Sequence, residues 1–312
     1  MNPKIAIILV NYNGIEDTKE CLESLQKLNY DNFETVVVDN GSKDDSVKIL
    51  KEKYPEIQLI DTGKNLGFSE GNNIALKKCL KKNFSYFFLL NNDTVVDRDL
   101  LTHLVNAAEK HPNAGILGTK ILRYHDKNTI DHFGGVWNKD LVQFDPIGCG
   151  KDINSFTECK VVDYICGCAF FIKRKVLEDI GFLLPEYFLI WEEADYCYKA
   201  KEKGYQCLSV PEAKVYHKVS SSFTGGKPQL EYFWWRNRLL WLYRNQKQIT
   251  FPYKKIVFFQ ILKTVRHFFI KFISYPLSSR KKRIERRAKV RRYYARVRGI
   301  KDYYLNRFGN RY

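Results

Sequence analysis

The sequence predicts an α/β fold: a Rossmann-like, mainly parallel central sheet flanked by helices, followed by a basic helical tail. Three observations predict it. Short apolar, β-branched runs alternate with longer amphipathic ones through residue 111, the strand-like runs lead into clusters of Asn, Asp and Gly, and charge is segregated along the chain. Of 52 Lys+Arg and 35 Asp+Glu in 312 residues, 24 and 3 fall in residues 226–312. Residues 1–225 therefore carry 28 basic against 32 acidic side chains, and the formal +17 belongs to the tail. Two domains are expected, a mildly acidic body (1–225) and a strongly basic region (226–312).

Taken in order, residues 5–10 read as a buried strand and 16–28 as a helix with Cys21, Leu22, Leu25 and Leu28 on one face. Residues 35–38 form a second strand and 44–54 a helix, 57–60 a third strand and 69–82 a helix, 86–90 a fourth strand and 97–111 a helix. Beyond them, 115–122, 132–137, 160–165 and 169–172 read as short strands. A helix begins at Glu192 and stops at Gly204, residues 207–210 are a strand, and His217 falls in the loop after it.

Composition excludes several classes. With 45% hydrophobic and 28% charged residues the chain is not globally disordered. The eight cysteines include no Cys-x-x-Cys pair, and Cys166-x-Cys168 alone is a poor zinc signature, so they read as reduced thiols of a cytosolic protein. The apolar run at 5–10 is short for a signal peptide and has only Lys4 before it. No stretch reaches the ~18 apolar residues of a spanning helix.

In a doubly wound sheet the ligand crevice lies beyond the carboxyl ends of the strands. There this chain gathers Asn11-Tyr12-Asn13-Gly14, Asp39-Asn40-Gly41-Ser42, Gly63-Lys64-Asn65-Leu66-Gly67 and Asn91-Asn92-Asp93. Each cluster alone is ordinary turn chemistry; four on successive strands point to a nucleotide. No Gly-x-Gly-x-x-Gly and no Gly-Lys-Ser/Thr is present, which argues against a dinucleotide oxidoreductase and a P-loop NTPase. A diphosphate then needs a divalent cation, and Asp93 is a hard-oxygen ligand or a turn cap. Trp191 beside Glu192 and Glu193 offers an apolar wall that raises a carboxylate's pKa toward base duty, although acids at a helix start also serve as caps. His217 is a ligand only if other ligands converge on it.

The ordered set Asp39-Asn40-Gly41-Ser42 with Asp44, Gly63-x-Asn65-Leu66-Gly67-Phe68 with Gly71-Asn72-Asn73, Leu90-Asn91-Asn92-Asp93, Gly167-Cys168-Ala169 and Trp191-Glu192-Glu193-Ala194-Asp195 resembles the family 2 glycosyltransferases with a GT-A fold. It is most similar to their rhamnosyltransferase and galactofuranosyltransferase branch, over about residues 4–245. The resemblance implies an inverting, metal-dependent transfer of a sugar from a nucleotide diphosphate donor, with dTDP-rhamnose favoured over UDP-galactofuranose or a UDP-hexose. The acceptor would be a hydroxyl of a polyprenyl-linked or polysaccharide molecule. Asn11 and Tyr12 would line the base and ribose pocket, Asp39 would bond the nucleobase, and Asn40, Asn65, Asn91 and Trp191 would complete the nucleotide-sugar site. Asp93 would hold Mg2+ or Mn2+ with His217. Glu193 would be the catalytic base, with Glu192 or Asp195 as substitutes. Asn91 stands for the first Asp of the family's Asp-x-Asp, and Glu193 for its usual Asp. Two alternatives remain: a nucleotide-sugar-binding protein without turnover, and a nucleotidyltransferase, whose phosphate loop is not visible between Asn11 and Asp17.

The tail carries a different signal. Residues 229–250 read as an aromatic-rich helix. Val257, Phe258, Ile261, Leu262, Val265, Phe268, Phe269 and Phe272 fall on one helical face, with Lys255, Lys263, Arg266, His267 and Lys271 opposite. Residues 280–312 hold 14 Lys/Arg against Glu285 and Asp302. The pattern suits an anionic membrane surface and places the chain on the cytoplasmic face of the cell membrane as a peripheral protein. Packing on the body as core, or binding nucleic acid, are the competing readings, the latter disfavoured.

Overall fold

The computed structural model describes residues 2–218, 228–247, 249–274 and 280–312, so the expected 225/226 boundary lies outside the described residues. Contacts divide the chain into one unit of Met1–Val136, Phe144–Pro185 and Glu192–Ser220, and a second of Trp137–Gln143, Glu186–Trp191 and Ser221–Tyr312.

In the first unit β1 (Ile5–Asn11), α1 (Ile15–Leu25), β2 (Phe33–Asp39), α2 (Ser46–Lys53), β3 (Gln58–Asp61), α3 (Gly67–Cys79) and β4 (Tyr86–Asn91) alternate as the sequence predicts. β1 lies between β2 and β4, all parallel, and β3 extends the sheet beyond β2. Ile5 through Leu9 are fully buried, because a parallel strand covered on both faces has no polar side. Alternate residues separate onto the two faces: Ile5, Ile7 and Leu9 pack with Leu22, Leu25 and Leu104, whereas Ala6 and Ile8 pack with Ala75 and Leu76.

The chain continues through β5 (Thr94–Val96), α4 (Leu100–Lys110), β6 (Ala114–Arg123), β7 (Asp126–His132), β8 (Gly135–Asn138), β9 (Gln143–Pro146), β10 (Lys160–Val162), β11 (Ala169–Lys173), α5 (Arg174–Ile180), α6 (Glu192–Glu202) and β12 (Gln206–His217). β11 runs antiparallel between β4 and β6, and β12 lies parallel to β6. The main sheet has the order β10-β12-β6-β11-β4-β1-β2-β3, with β5 on β12 and β7 on β6. Its β1–β4 half is parallel and its other half mixed.

Several local expectations are corrected. The run 132–137 is not one strand: Gly134, at φ +76°, separates β7 from β8. The run 160–165 is a strand only through Val162. β5 and β7 were not legible as strands, the second because Asp126–His132 is mostly polar and gains its conformation by pairing with β6. His217 is not in a loop. β12 passes a register shift between Val210 and Lys214, where Pro211 supplies no donor, and runs on to pair His217 with Arg123 of β6 and Thr94 of β5.

The second unit consists of α7 (Pro228–Arg244), α8 (Tyr253–Ser274), α9 (Arg280–Tyr304) and two short borrowed segments. α9 packs on both α7 and α8. A Cβ on Gly299 would stand 2.3 Å from the Tyr232 carbonyl oxygen, so only glycine permits this approach of α9 to α7. Arg236, Asn237 and Arg238 are buried on α7 and hold the borrowed segments. Arg236 donates to the carbonyls of Gly309, Glu186 and Tyr187, Asn237 to those of Tyr187, Leu189 and Ile190, and Arg238 to those of Leu141 and Val142. On α8 the expected single stripe divides. Val257 turns inward, whereas Phe258, Leu262, Phe269 and Phe272, with Phe259, Ile270 and Ile273, are exposed beside Lys255, Lys263 and Arg266 rather than opposite them. No helix among the described residues is long and apolar enough to cross a membrane.

Candidate active site

The carboxyl ends of β1, β2 and β4 come level, with Asn11 opposite Asp39 and Val10 opposite Asn91. Asn11 is fully buried there: its amide donates to Asp39 Oδ2 (2.8 Å) and Ser42 Oγ (3.1 Å), and its carbonyl accepts from Thr18 Oγ1 (2.9 Å). Asp39 takes a second bond from the Ser42 amide (2.8 Å). Asn40 accepts from the Leu66 amide and donates to the Gly67 carbonyl, while Asn65 caps the Gly67 amide. A Cβ on Gly41, at φ +76°, would lie 2.5 Å from the Lys64 backbone, which fixes the β2 loop against the loop before α3. Asn11, Asp39, Asn40 and Asn65 thus belong to one polar frame, with Tyr12 projecting from it at 45% exposure.

The turn after β4 is pinned by Asn92, whose amide donates to Thr18 Oγ1 at 2.8 Å. The Asn91 amide bonds the Cys168 carbonyl (2.8 Å). Asp93 is buried, and His217 Nε2 stands 3.2 Å from its Oδ1. On the other side of the ring, His217 Nδ1 is 3.7 Å from Asp131 Oδ2. Burial favours the neutral ring, but Cys168, Asp131 and Asp93 outweigh it and leave the His217 pKa raised. The strand end is tied down by Lys218, which bonds the Asp93 carbonyl through its amide and pairs with Asp17 and Glu20 at 2.6 Å each.

The Cys166-Gly167-Cys168 turn connects the acids. A Cβ on Gly167 would lie 3.5 Å from the Phe68 ring and 3.7 Å from Glu193 Cβ. Burial raises the Cys166 thiol pKa, and both Glu193 and His217 act on it electrostatically; Cys168 feels His217, Asp93 and Asp131 in the same way. The three acids at the start of α6 differ. Glu192 is buried, and burial followed by the neighbouring Glu193 pushes its pKa well above the carboxylate range. Asp195 is buried, with Lys199 Nζ 3.9 Å away. Glu193 alone of the three is only partly buried. Trp191 lies in the second unit, against Trp234 and Trp241, with φ +80°.

The donor set fits a hard divalent cation. Both ring nitrogens of His217 are buried without a hydrogen bond, and a carboxylate oxygen faces one of them at ion-pairing distance. Among the described residues no group of three or more His, Cys, Asp and Glu closes a cage. Two open donors are what an ion shared with a phosphate ligand needs, since Mg2+ is usually held by one or two carboxylates plus substrate oxygens.

The sequence profile of "Glycosyl transferase family 2" matches residues 6–181. The chain belongs to that family. The chain is 28% identical over 205 residues to the low-salt glycan biosynthesis hexosyltransferase Agl10 of Haloferax volcanii, covering 64% of this chain and 62% of the relative. It is 24% identical over 239 residues to the poly-beta-1,6-N-acetyl-D-glucosamine synthase of Staphylococcus epidermidis, covering 76% and 53%. The chain thus spans between about half and two thirds of these relatives' lengths. Among solved structures it resembles GalNAc-T7 with UDP, GalNAc and Mn2+ (TM-score 0.59, 16% identity, covering 75% of this chain and 50% of that one). It also resembles the mannosyltransferase PcManGT of Pyrobaculum calidifontis with GDP-Man and Mn2+ (TM-score 0.57, 15% identity, 98% and 88%). The fold is GT-A, and family membership sets aside the nucleotidyltransferase reading.

Sequence reasoning overlooked Asp131, Lys218 and the Arg236-Asn237-Arg238 triplet. Asp131 sits in the polar run Asp126–His132, which gave no strand signal. The triplet carried one, three adjacent polar side chains inside an otherwise aromatic helix.

Proposed function

We propose that this chain is an inverting, cation-dependent glycosyltransferase, with a catalytic domain over 1–225 and a membrane-associating region over 226–312. It would move a sugar from a nucleotide diphosphate, dTDP-rhamnose before UDP-galactofuranose or a UDP-hexose, to a hydroxyl of a lipid-linked or polysaccharide acceptor. The observation that carries the reading is the convergence of Asp93 and His217 at one strand end, with Glu193 across the Gly167 turn. Asn11, Tyr12, Asp39, Asn40, Asn65 and Asn91 would bind the nucleotide. Mg2+ or Mn2+, held by Asp93 and His217, would neutralise the departing diphosphate. Glu193 accepts the acceptor's hydroxyl proton as that oxygen bonds the anomeric carbon and the C–O bond to the diphosphate breaks, its electron pair leaving with the phosphate oxygen. Glu192 and Asp195, both buried beside it, are the substitutes for the base role.

The relatives' printed names, a hexosyltransferase and a poly-N-acetylglucosamine synthase, support glycan assembly as the setting. The exposed phenylalanines of α8 with Lys255, Lys263 and Arg266, and the cationic α9, support attachment to an anionic leaflet on the cytoplasmic side, at about 1 kcal/mol per engaged basic residue. A cavity of about 520 Å³ lined by Ile190, Trp234, Trp235, Glu231 and Arg296 supports an acceptor site in the second unit. The test is a screen of nucleotide sugars for hydrolysis and transfer with Mg2+, Mn2+ or EDTA. Cation-dependent release of a nucleoside diphosphate from one donor is expected. Release unaffected by EDTA refutes the cation, and no release from any donor refutes the enzyme reading.

A further inference from the structure

We propose that Asp131 is a positioning residue: it holds the His217 ring from its Nδ1 side so that Nε2 would offer its lone pair to a cation shared with Asp93. The inference rests on the reading of Asp93 and His217 as cation ligands. An imidazole presents its two nitrogens in divergent directions, and here each meets a different carboxylate. Asp93 Oδ1 is 3.2 Å from Nε2 and Asp131 Oδ2 is 3.7 Å from Nδ1. Neither ring nitrogen has a hydrogen bond, and both are buried.

The backbone around the ring is already fixed. Tyr124 N–H donates to the His217 carbonyl (2.9 Å), Lys218 N–H to the Asp93 carbonyl (3.0 Å), and β12 pairs His217 with both Arg123 and Thr94. What stays undetermined is the rotation of the ring and the nitrogen that carries its proton. Asp131 faces Nδ1 from β7, whose neighbour His132 is locked by Tyr164 Oη at 2.8 Å and by the Gly134 amide at 3.1 Å. A carboxylate behind a ligating histidine selects the tautomer protonated on the far nitrogen and orients the ring; removing such a partner weakens metal binding 10–100-fold. The 3.7 Å separation is an ion-pair distance.

The experiment measures binding of Mn2+, in the presence of UDP, to the full chain by the loss of the free-ion electron paramagnetic resonance signal. Asp131→Asn is expected to weaken Mn2+ about 10–100-fold, Asp131→Glu to recover most of it, and Asp131→Asn to add nothing on a His217→Ala background. Unchanged affinity in Asp131→Asn, or a full additional loss on His217→Ala, overturns the inference. Wild-type affinity in Asp93→Asn overturns instead the cation reading beneath it. Nitrogen-15 histidine spectra of the unaltered chain with Mg2+ and UDP give an answer that does not depend on any variant folding. His217 protonated at Nδ1 is expected, and protonation at Nε2 refutes the proposal.

Discussion

The chain should lose stability on mild acidification through His132. This ring is buried on β7, where Nδ1 accepts the Gly134 amide and Nε2 contacts the Tyr164 hydroxyl. Since Nδ1 is an acceptor, the neutral ring carries its proton on Nε2 and donates to the tyrosine. A second proton would have to enter at Nδ1, against a backbone N–H. Burial is the main reason its pKa falls from 6.5 to about 4; nearby His217 lowers it further and Asp131 opposes the fall. A depressed histidine pKa means that the unfolded chain binds the proton first, so the contribution is whole above pH 6.5 and drains away as pH falls toward 4. At 1.36 kcal/mol per pKa unit the full amount is about 3 kcal/mol, with about 2 kcal/mol gone by pH 5. The assay is urea unfolding of the wild type and His132→Asn at several pH values between 8 and 4. The variant lacks this titration, so the stability gap between the two should narrow by that amount. Parallel curves across the range would show that the ring is not held neutral.

Three further outcomes follow from the geometry. Glu193→Gln should keep donor binding by calorimetry and lose about 10²–10⁴-fold in turnover, whereas unchanged turnover removes it as base. Arg236→Met should destabilise the second unit by about 3 kcal/mol or more in thermal unfolding, because the carbonyls of Gly309, Glu186 and Tyr187 lose their buried donor. Gly135→Ala would set a Cβ 1.9 Å from the Tyr164 ring and should cost about 1–3 kcal/mol, measured by the urea midpoint.

Where one physical signal dominated, the sequence was readable. The continuous burial of Ile5–Leu9 and the turns at Asn11, Asp39 and Asn91 mark the parallel half of the sheet without ambiguity. The same clusters marked the polar frame at the strand ends, although they did not reveal that Asn11 and Asn92 spend their side chains bracing the loops. Strands that exist only through their neighbours were hidden, as β5 and β7 show: Asp126–His132 has no alternation of its own and pairs because β6 offers an edge. That concealment kept Asp131 out of the expected site, while the irregularity at Pro211 ended the expected strand early and put His217 in a loop. On α8 the 3.6-residue period located a helix, but it could not say which aromatic side chains turn toward α9 and which toward solvent.

The irregularity in β12 decides more than its own curvature. Between Val210, opposite Thr119, and Lys214, opposite Lys120, the strand accommodates three residues that β6 does not match. Side chains along an extended chain point to opposite sides in turn, so an odd insertion inverts the facing of everything after it. His217 looks toward Asp93 by the parity of Pro211-Glu212-Ala213, at a place where none of those residues is a ligand. With the pairing before Val210 kept, removing one of the three would draw Lys218 into the place His217 now holds and turn the imidazole to the opposite face. The length of this small kink, ahead of the identity of its residues, determines what the strand delivers.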